Sequence, residues 1–176
     1  MAEPTTPPAD VKDWTWAITE PCPDCGFDPA SVTPGQVPAL TRRHATSVRA
    51  AVLGPGATTR ARADVWSPLE YGCHVRDVCL LFAQRLDLML TEDDPRFANW
   101  DQDETALEAK YWTQDPTAVA DQLAAAADSI ASAFATVEDG QWSRPGRRSN
   151  GSVFTVDTFA RYFLHDLAHH AWDVRA

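Results

Sequence analysis

Ser67-Pro68-Leu69-Glu70-Tyr71-Gly72-Cys73-His74 decides the fold, because it opens the clearest helix in the chain. Ser67 is an N-cap residue, Pro68 takes the first helical position, and Glu70 stands where a capping box needs its acidic partner. Trp66 lies just before the cap. Behind it Leu69, Cys73, Val75, Val78, Leu81, Phe82, Leu86, Met89 and Leu90 form a wide apolar face reaching about Thr91. A helix of that length spans about 37 Å at 1.5 Å per residue.

The same signals recur on either side. Upstream, Thr33, Pro34 and Gln36 set a cap, a first helical proline and a capping-box partner. Val37, Leu40, His44, Val48, Ala51 and Val52 follow at three- and four-residue steps, and Gly54-Pro55-Gly56 ends that helix. Downstream, Asp115-Pro116 starts a third helix through Val119, Leu123, Ala126, Ile130, Phe134 and Val137. A fourth starts near Thr155 and carries Val156, Phe159, Phe163, Leu167 and Trp172. The loop 138–152 between them holds Gly140, Pro145, Gly146 and Gly151. Four amphipathic helices and no convincing strand predict an all-α four-helix bundle. Short connections make helices one and two, and three and four, antiparallel neighbours. The long connection 92–114, with a short helix around 104–110, reads as a crossover. Helices two and three are then parallel, and the bundle is up-down-down-up. Residues 1–32 are rich in proline and read as an irregular N-terminal extension anchored by Trp14, Trp16 and Ile18. The bundle domain is 33–176.

Composition bounds the function. The chain has 176 residues, 44% hydrophobic and 23% charged, as expected of one soluble globular domain. No apolar run approaches the roughly 18 residues that cross a bilayer, so no membrane partner is expected. The polar start of the chain lacks the apolar stretch of a secretory signal, which predicts a cytoplasmic protein. A net charge of −10 argues against nucleic acid. The basic cluster Arg144, Arg147 and Arg148 reads as a solvated turn or as a contact for one anionic substrate group. Four cysteines in a chain of this length predict thiols rather than a disulfide framework. A homodimer is expected, since a bundle of this size often leaves an apolar face uncovered.

His165 and His169 are four residues apart on helix four, so both imidazoles share one face one turn apart. Two ligands are too few for a stable metal site. His74 is the candidate third, about two turns into helix two. Helix direction brings the two heights together, because His165 and His169 lie roughly 15–20 Å along a helix that starts at the opposite end. The expected site is one divalent metal ion, zinc before nickel or another, held by His74, His165 and His169. The competing reading makes these histidines satisfied core groups of a structural bundle. His170 points about 100° from His169 and reads as a surface or supporting group. His44 is not expected to be a ligand. Asp166 and Asp77 are candidates to orient a histidine by accepting its second N–H.

Two further features carry chemistry. Cys22-Pro23-Asp24-Cys25-Gly26 looks like half of a zinc knuckle, yet the chain has no second CxxC. A second metal site, a reversible Cys22–Cys25 redox pair and a turn with free thiols all remain open. Trp100, Asp101 and Asp103 are candidates to line a substrate pocket, against the reading of an exposed acidic loop.

Trp66-Ser67-Pro68-Leu69-Glu70 leading to His74, with a terminal His165-Asp166-Leu167-Ala168-His169-His170, resembles the DinB/YfiT-like superfamily. It is similar in particular to an actinobacterial DinB-like subfamily near the mycothiol-dependent maleylpyruvate isomerases. Asn99-Trp100-Asp101-Gln102-Asp103 and Cys22-Pro23-Asp24-Cys25-Gly26-Phe27-Asp28 also look like that subfamily. The resemblance implies the up-down-down-up bundle over about residues 33–174 and a divalent metal on three histidines, matched by His74, His165 and His169. It also implies a small-molecule thiol such as mycothiol as co-substrate, with an electrophile as its partner. The isomerases carry a further C-terminal domain, whereas this sequence ends at Ala176, so isomerase activity is not expected. The function expected is a metal-dependent thiol S-transferase, and the alternative is a non-catalytic metal or small-molecule binding protein of the same fold.

Overall fold

In the computed structural model, residues 13–175 are described. Each long helix begins where capping chemistry places it. Ser67 Oγ accepts from the Glu70 N–H at 3.3 Å, and Glu70 Oε2 accepts from the Ser67 N–H at 2.8 Å, starting α2 (Pro68–Thr91). Arg60 reaches across the preceding loop to pair with the Glu70 carboxylate, which is almost wholly buried. The start of α2, one turn before His74, is thereby fixed from two sides. Asp115 caps α4 (Pro116–Ala135), and Thr155 caps α5 (Val156–Asp173). The Thr33 capping box also forms, but it closes a single 3-10 turn, Pro34–Gln36, and α1 (Val37–Val52) begins after it. The short helix of the long connection is α3 (Gln102–Glu108), two residues earlier than predicted. Asp101 sets its start by accepting from the N–H groups of Asp103 and Glu104.

Side-chain pairs along the helices give their directions. Arg76, early in α2, bonds Gln114 and Gln122 at the start of α4. Arg144, just beyond the end of α4, donates to the carbonyls of Met89 and Glu92 at the end of α2. The two helices therefore run parallel. Arg42 pairs with Asp128 and Arg49 with Asp121, so α1 is antiparallel to α4. The end of α5 returns to the start of α2, where His170 meets His74. The order is up-down-down-up. α4 packs chiefly against α1 and α2, and α5 packs on the same two helices. The expectation that the third and fourth long helices are close neighbours does not hold: α4 and α5 face each other across the core through Phe134 and Phe163, whose rings are 5.8 Å apart. Where α1 ends against the start of α2, the Val52 side chain packs onto the Gly72 backbone and fills the space a Cβ there would need.

The structure adds one sheet that the pattern reading missed. β1 (Arg96–Phe97) pairs in parallel with β2 (Pro145–Arg148), which pairs antiparallel with β3 (Val153–Thr155). Strands of two to four residues are too short to show an alternating pattern. The same sheet revises the arginine cluster. Arg147 pairs with Asp94 and Arg148 with Asn99, so with Arg144 they fasten β2 to the end of α2 and the strand that follows.

The N-terminal segment lies over α5. A 3-10 helix, Trp14–Ile18, packs on that helix, and Arg161 of α5 donates to the Pro29 carbonyl at 2.7 Å. Trp14 and Trp16 stand over its histidine side, the anchoring role their alternation predicts. Among the described residues no helix is long and apolar enough to cross a membrane.

Candidate metal centre

The last turns of α5 read His165-Asp166-Leu167-Ala168-His169-His170. At 100° per residue, His165 and His169 share one stripe and Asp166 and His170 the next. The bundle presents these stripes to different partners. Asp166 and His170 face His74 of α2, while His165 and His169 face Cys22 and Cys25 of the N-terminal segment.

In the first cluster, His74 Nε2 lies 3.6 Å from Asp166 Oδ1, and His170 Nε2 lies 3.8 Å from the same oxygen. The His74 and His170 rings meet edge to face at 4.7 Å. His74 is fully buried, stacked on Trp100 at 5.6 Å and against Trp66 at 5.3 Å. Both of its ring nitrogens, and Asp166 Oδ1, are buried without a hydrogen-bond partner. Buried polar atoms are nearly always paired, so a converging set left unpaired marks a place for a cation. Its protonation suits that role. Burial pushes the His74 imidazolium well below the usual range, leaving a neutral ring with a free lone pair. Burial alone would raise the Asp166 carboxyl; His170 and His74 outweigh it and hold it below the ordinary carboxylate range. His170 Nδ1 contacts Asp173 Oδ2 at 2.8 Å. A proton on Nδ1, donated to that carboxylate, turns the Nε2 lone pair toward Asp166. The donor set of imidazole, carboxylate and imidazole fits a divalent ion and leaves coordination positions open.

The second cluster has four potential ligands. The donor atoms of Cys22, Cys25, His165 and His169 lie within 4.8 Å of one another. Cys22 Sγ is 3.7 Å from His169 Nδ1. Burial, then the neighbouring His169, pushes His165 down to about 4. Burial pushes the Cys25 thiol up to about 11.

A cavity of about 410 Å³ adjoins both clusters. Trp14, Trp66, Tyr71 and Tyr162 give it aromatic walls; Asp64, Asp103 and Asp173 make it acidic; His165, Asp166, His169 and His170 form the side contributed by the two clusters.

The three predicted ligands are thus not gathered into one group. His74 joins Asp166 and His170, and His165 and His169 join the two cysteines. The shared-face argument for His165 and His169 is sound, but helix height alone cannot say which stripe of α5 turns toward α2. Asp166, expected to support a ligand, is itself in the cluster with His170. The usable signal was a second four-residue pair, Asp166 and His170, beside the first. Asp77 does not orient a histidine; it pairs with Arg76 and accepts from the Tyr111 hydroxyl. Of the predicted pocket residues, Asp103 lines the cavity and Trp100 stacks on His74, whereas Asp101 is exposed and caps α3.

Comparison with known proteins agrees with the fold. The bundle superposes on YfiT from Bacillus subtilis with a TM-score of 0.74 at 18% identity, covering 85% of this chain and 90% of that one. That protein is described as a probable metal-dependent hydrolase with an unusual four-helix bundle topology. No curated protein matches the chain. The family assignment comes from the sequence: residues 35–174 match the DinB superfamily, and the chain belongs to it.

Proposed function

We propose that this protein is a metal-dependent enzyme whose divalent ion, zinc before nickel, is held by His74, Asp166 and His170 at the wall of the aromatic cavity. The observation that carries this reading is the convergence of the buried, unpaired His74 Nε2 and Asp166 Oδ1 beside an open cavity. When bound, such an ion lowers the pKa of a nucleophile that reaches its open position and polarises the bond under attack.

The chain's own residues then bind and orient. Among the described residues no cysteine, serine, threonine or lysine lines the cavity, which favours a nucleophile from solution. Tyr71 does not supply one, because burial raises its hydroxyl well above the usual range. We assign the nucleophile to a low-molecular-weight thiol of the mycothiol kind and the reaction to its S-transfer onto a small electrophile. A cavity of about 410 Å³ has room for a ligand of that size. Its aromatic faces suit the C–H faces of a sugar, and Asp64 and Asp103 can accept sugar hydroxyls. Trp66 and Trp100 cover His74 and keep water from its far side.

A second reading, hydrolysis by water, is favoured by the description of the structurally similar Bacillus protein. The two separate cleanly in one experiment. Metal-loaded protein is given mycothiol with a chromogenic electrophile, and separately a panel of amides and esters. Thiol-dependent conjugation lost in Asp166→Ala supports the transferase; thiol-independent hydrolysis lost in that variant supports the hydrolase. Neither activity, with unchanged metal content in Asp166→Ala, rejects the site.

A further inference from the structure

The proposed activity leaves the second cluster unused. Cys22, Cys25, His165 and His169 come from two distant parts of the chain, and their donor atoms meet within 4.8 Å. Tetrahedral zinc, with bonds of about 2.3 Å to sulfur and 2.0–2.1 Å to nitrogen, holds its ligand atoms about 3.3–3.8 Å apart. The 3.7 Å between Cys22 Sγ and His169 Nδ1 falls in that range. His165 Nε2 is buried and has no hydrogen-bond partner, on a residue only 4% exposed.

The backbone around the cysteines is shaped like a metal knuckle. The Gly26 N–H donates to the Cys22 carbonyl at 3.0 Å, and the Cys22 N–H donates to the Phe27 carbonyl at 2.8 Å. Gly26, directly after Cys25, takes a φ of +73°, a left-handed conformation suited to closing such a turn. Phe27 then packs 5.8 Å from the His165 ring. The cysteines are free, with no bond between them.

We propose that Cys22, Cys25, His165 and His169 bind one zinc ion in a closed, structural site that fastens the N-terminal segment to α5. Each cysteine binds as thiolate and gives its proton to solvent, so no oxidant or reductant takes part. Two thiolates balance the charge of the ion, and four protein ligands fill a tetrahedral shell. The clasp has a consequence for the neighbouring cavity. Trp14 sits 5.5 Å from the His165 ring and 5.2 Å from the His169 ring, and it forms a cavity wall. Fastening the segment therefore holds that wall in place.

Metal content tests the clasp separately from the His74 cluster. Untagged full-length protein is loaded with zinc, dialysed and analysed for metal per chain. Two ions are expected in the wild type, one in Cys22→Ser/Cys25→Ser, and one in His74→Ala. Cobalt replacement of the wild type should give thiolate-to-cobalt charge-transfer absorption and tetrahedral d–d bands, both retained in His74→Ala. This readout needs no cysteine variant to fold. Wild-type protein without that charge-transfer band, a double cysteine variant that keeps both ions, or a Cys22–Cys25 disulfide in freshly prepared wild type would each overturn the clasp. Loss of nothing in His74→Ala would instead reject the proposed catalytic cluster and leave the clasp standing.

Discussion

Two clusters sit on adjacent stripes of one helix, and they differ in ligand number and in what the remaining space is for. His74, Asp166 and His170 supply three donors beside an aromatic cavity. Cys22, Cys25, His165 and His169 supply four, and in the proposed clasp they tie a remote segment down. Three donors leave room for a substrate; four do not. One stretch of six residues therefore faces both clusters, because neighbours in sequence point about 100° apart.

The largest expected effect tests the open cluster. His74→Ala removes the only ligand contributed by α2 and should lower kcat/KM for the metal-dependent reaction by about a thousandfold or more. Thermal stability should fall as well, by about 2–4 kcal/mol, because truncating a fully buried ring leaves a cavity between Trp66 and Trp100. Steady-state kinetics and a melting curve on the same sample check both halves. An active His74→Ala protein would break the division of labour between the clusters.

The closed cluster is tested through stability. Cys22→Ser/Cys25→Ser releases the N-terminal segment and should cost about 3 kcal/mol, lowering Tm by about 6–12 °C in a chain of this size. Zinc-loaded and chelated wild type should differ by a similar amount, and the zinc-dependent shift should vanish in the variant. A double variant that melts with the wild type would show that packing of Trp14, Trp16 and Phe27 holds the segment without metal.

These assignments show where reading a sequence stops. The starts of α2, α4 and α5 were legible because Ser67-Pro68, Asp115-Pro116 and Thr155 act on their own neighbours. The parallel course of α2 and α4 followed from one long connection. β1, β2 and β3 were not legible, since residues 96–97, 145–148 and 153–155 are held by pairing between distant segments rather than by their own pattern. At the site, His74, His165 and His169 were legible as candidates, but their partition between clusters was not. Which stripe of α5 meets α2 depends on the rotation of a helix set by Phe159, Phe163 and Phe134 in the core. The three-residue spacing of Cys22 and Cys25 in their turn was visible, yet nothing local says that the turn lands on His165 and His169.

Asp173 provides a finer test of the open cluster. Its carboxylate touches His170 Nδ1, not the converging donor atoms. Asp173→Asn keeps the size of the side chain but weakens its hold on the tautomer that directs Nε2 toward the ion. Metal affinity at the open site should fall by about 10–100-fold, while the zinc of the cysteine cluster stays bound. Competition titration with a chromogenic chelator resolves the two sites. An equal loss at both would mean that the clusters share one fold-wide dependence on Asp173.

The smallest effect uses a histidine that belongs to neither cluster. Burial, with help from Arg43 and Arg175, pushes His44 down to about 4 from an ordinary value near 6.5. Between those values the unfolded chain takes up a proton that the folded ring refuses. Stability is therefore fully present above pH 6.5 and is lost as the pH falls toward 4. The size of the loss is about 1–2 kcal/mol, once discounted for the solvent that its partly exposed ring still meets. His44→Gln should flatten that part of the pH dependence in metal-free protein, measured by denaturant unfolding from pH 7 to pH 4. The metal-loaded protein should stay steeper over the same range, because protons there also compete for His74 and His165. If His44→Gln leaves the slope unchanged, the acid sensitivity lies wholly in the clustered histidines. The contrast between them and a lone half-buried histidine would then be larger than burial alone produces.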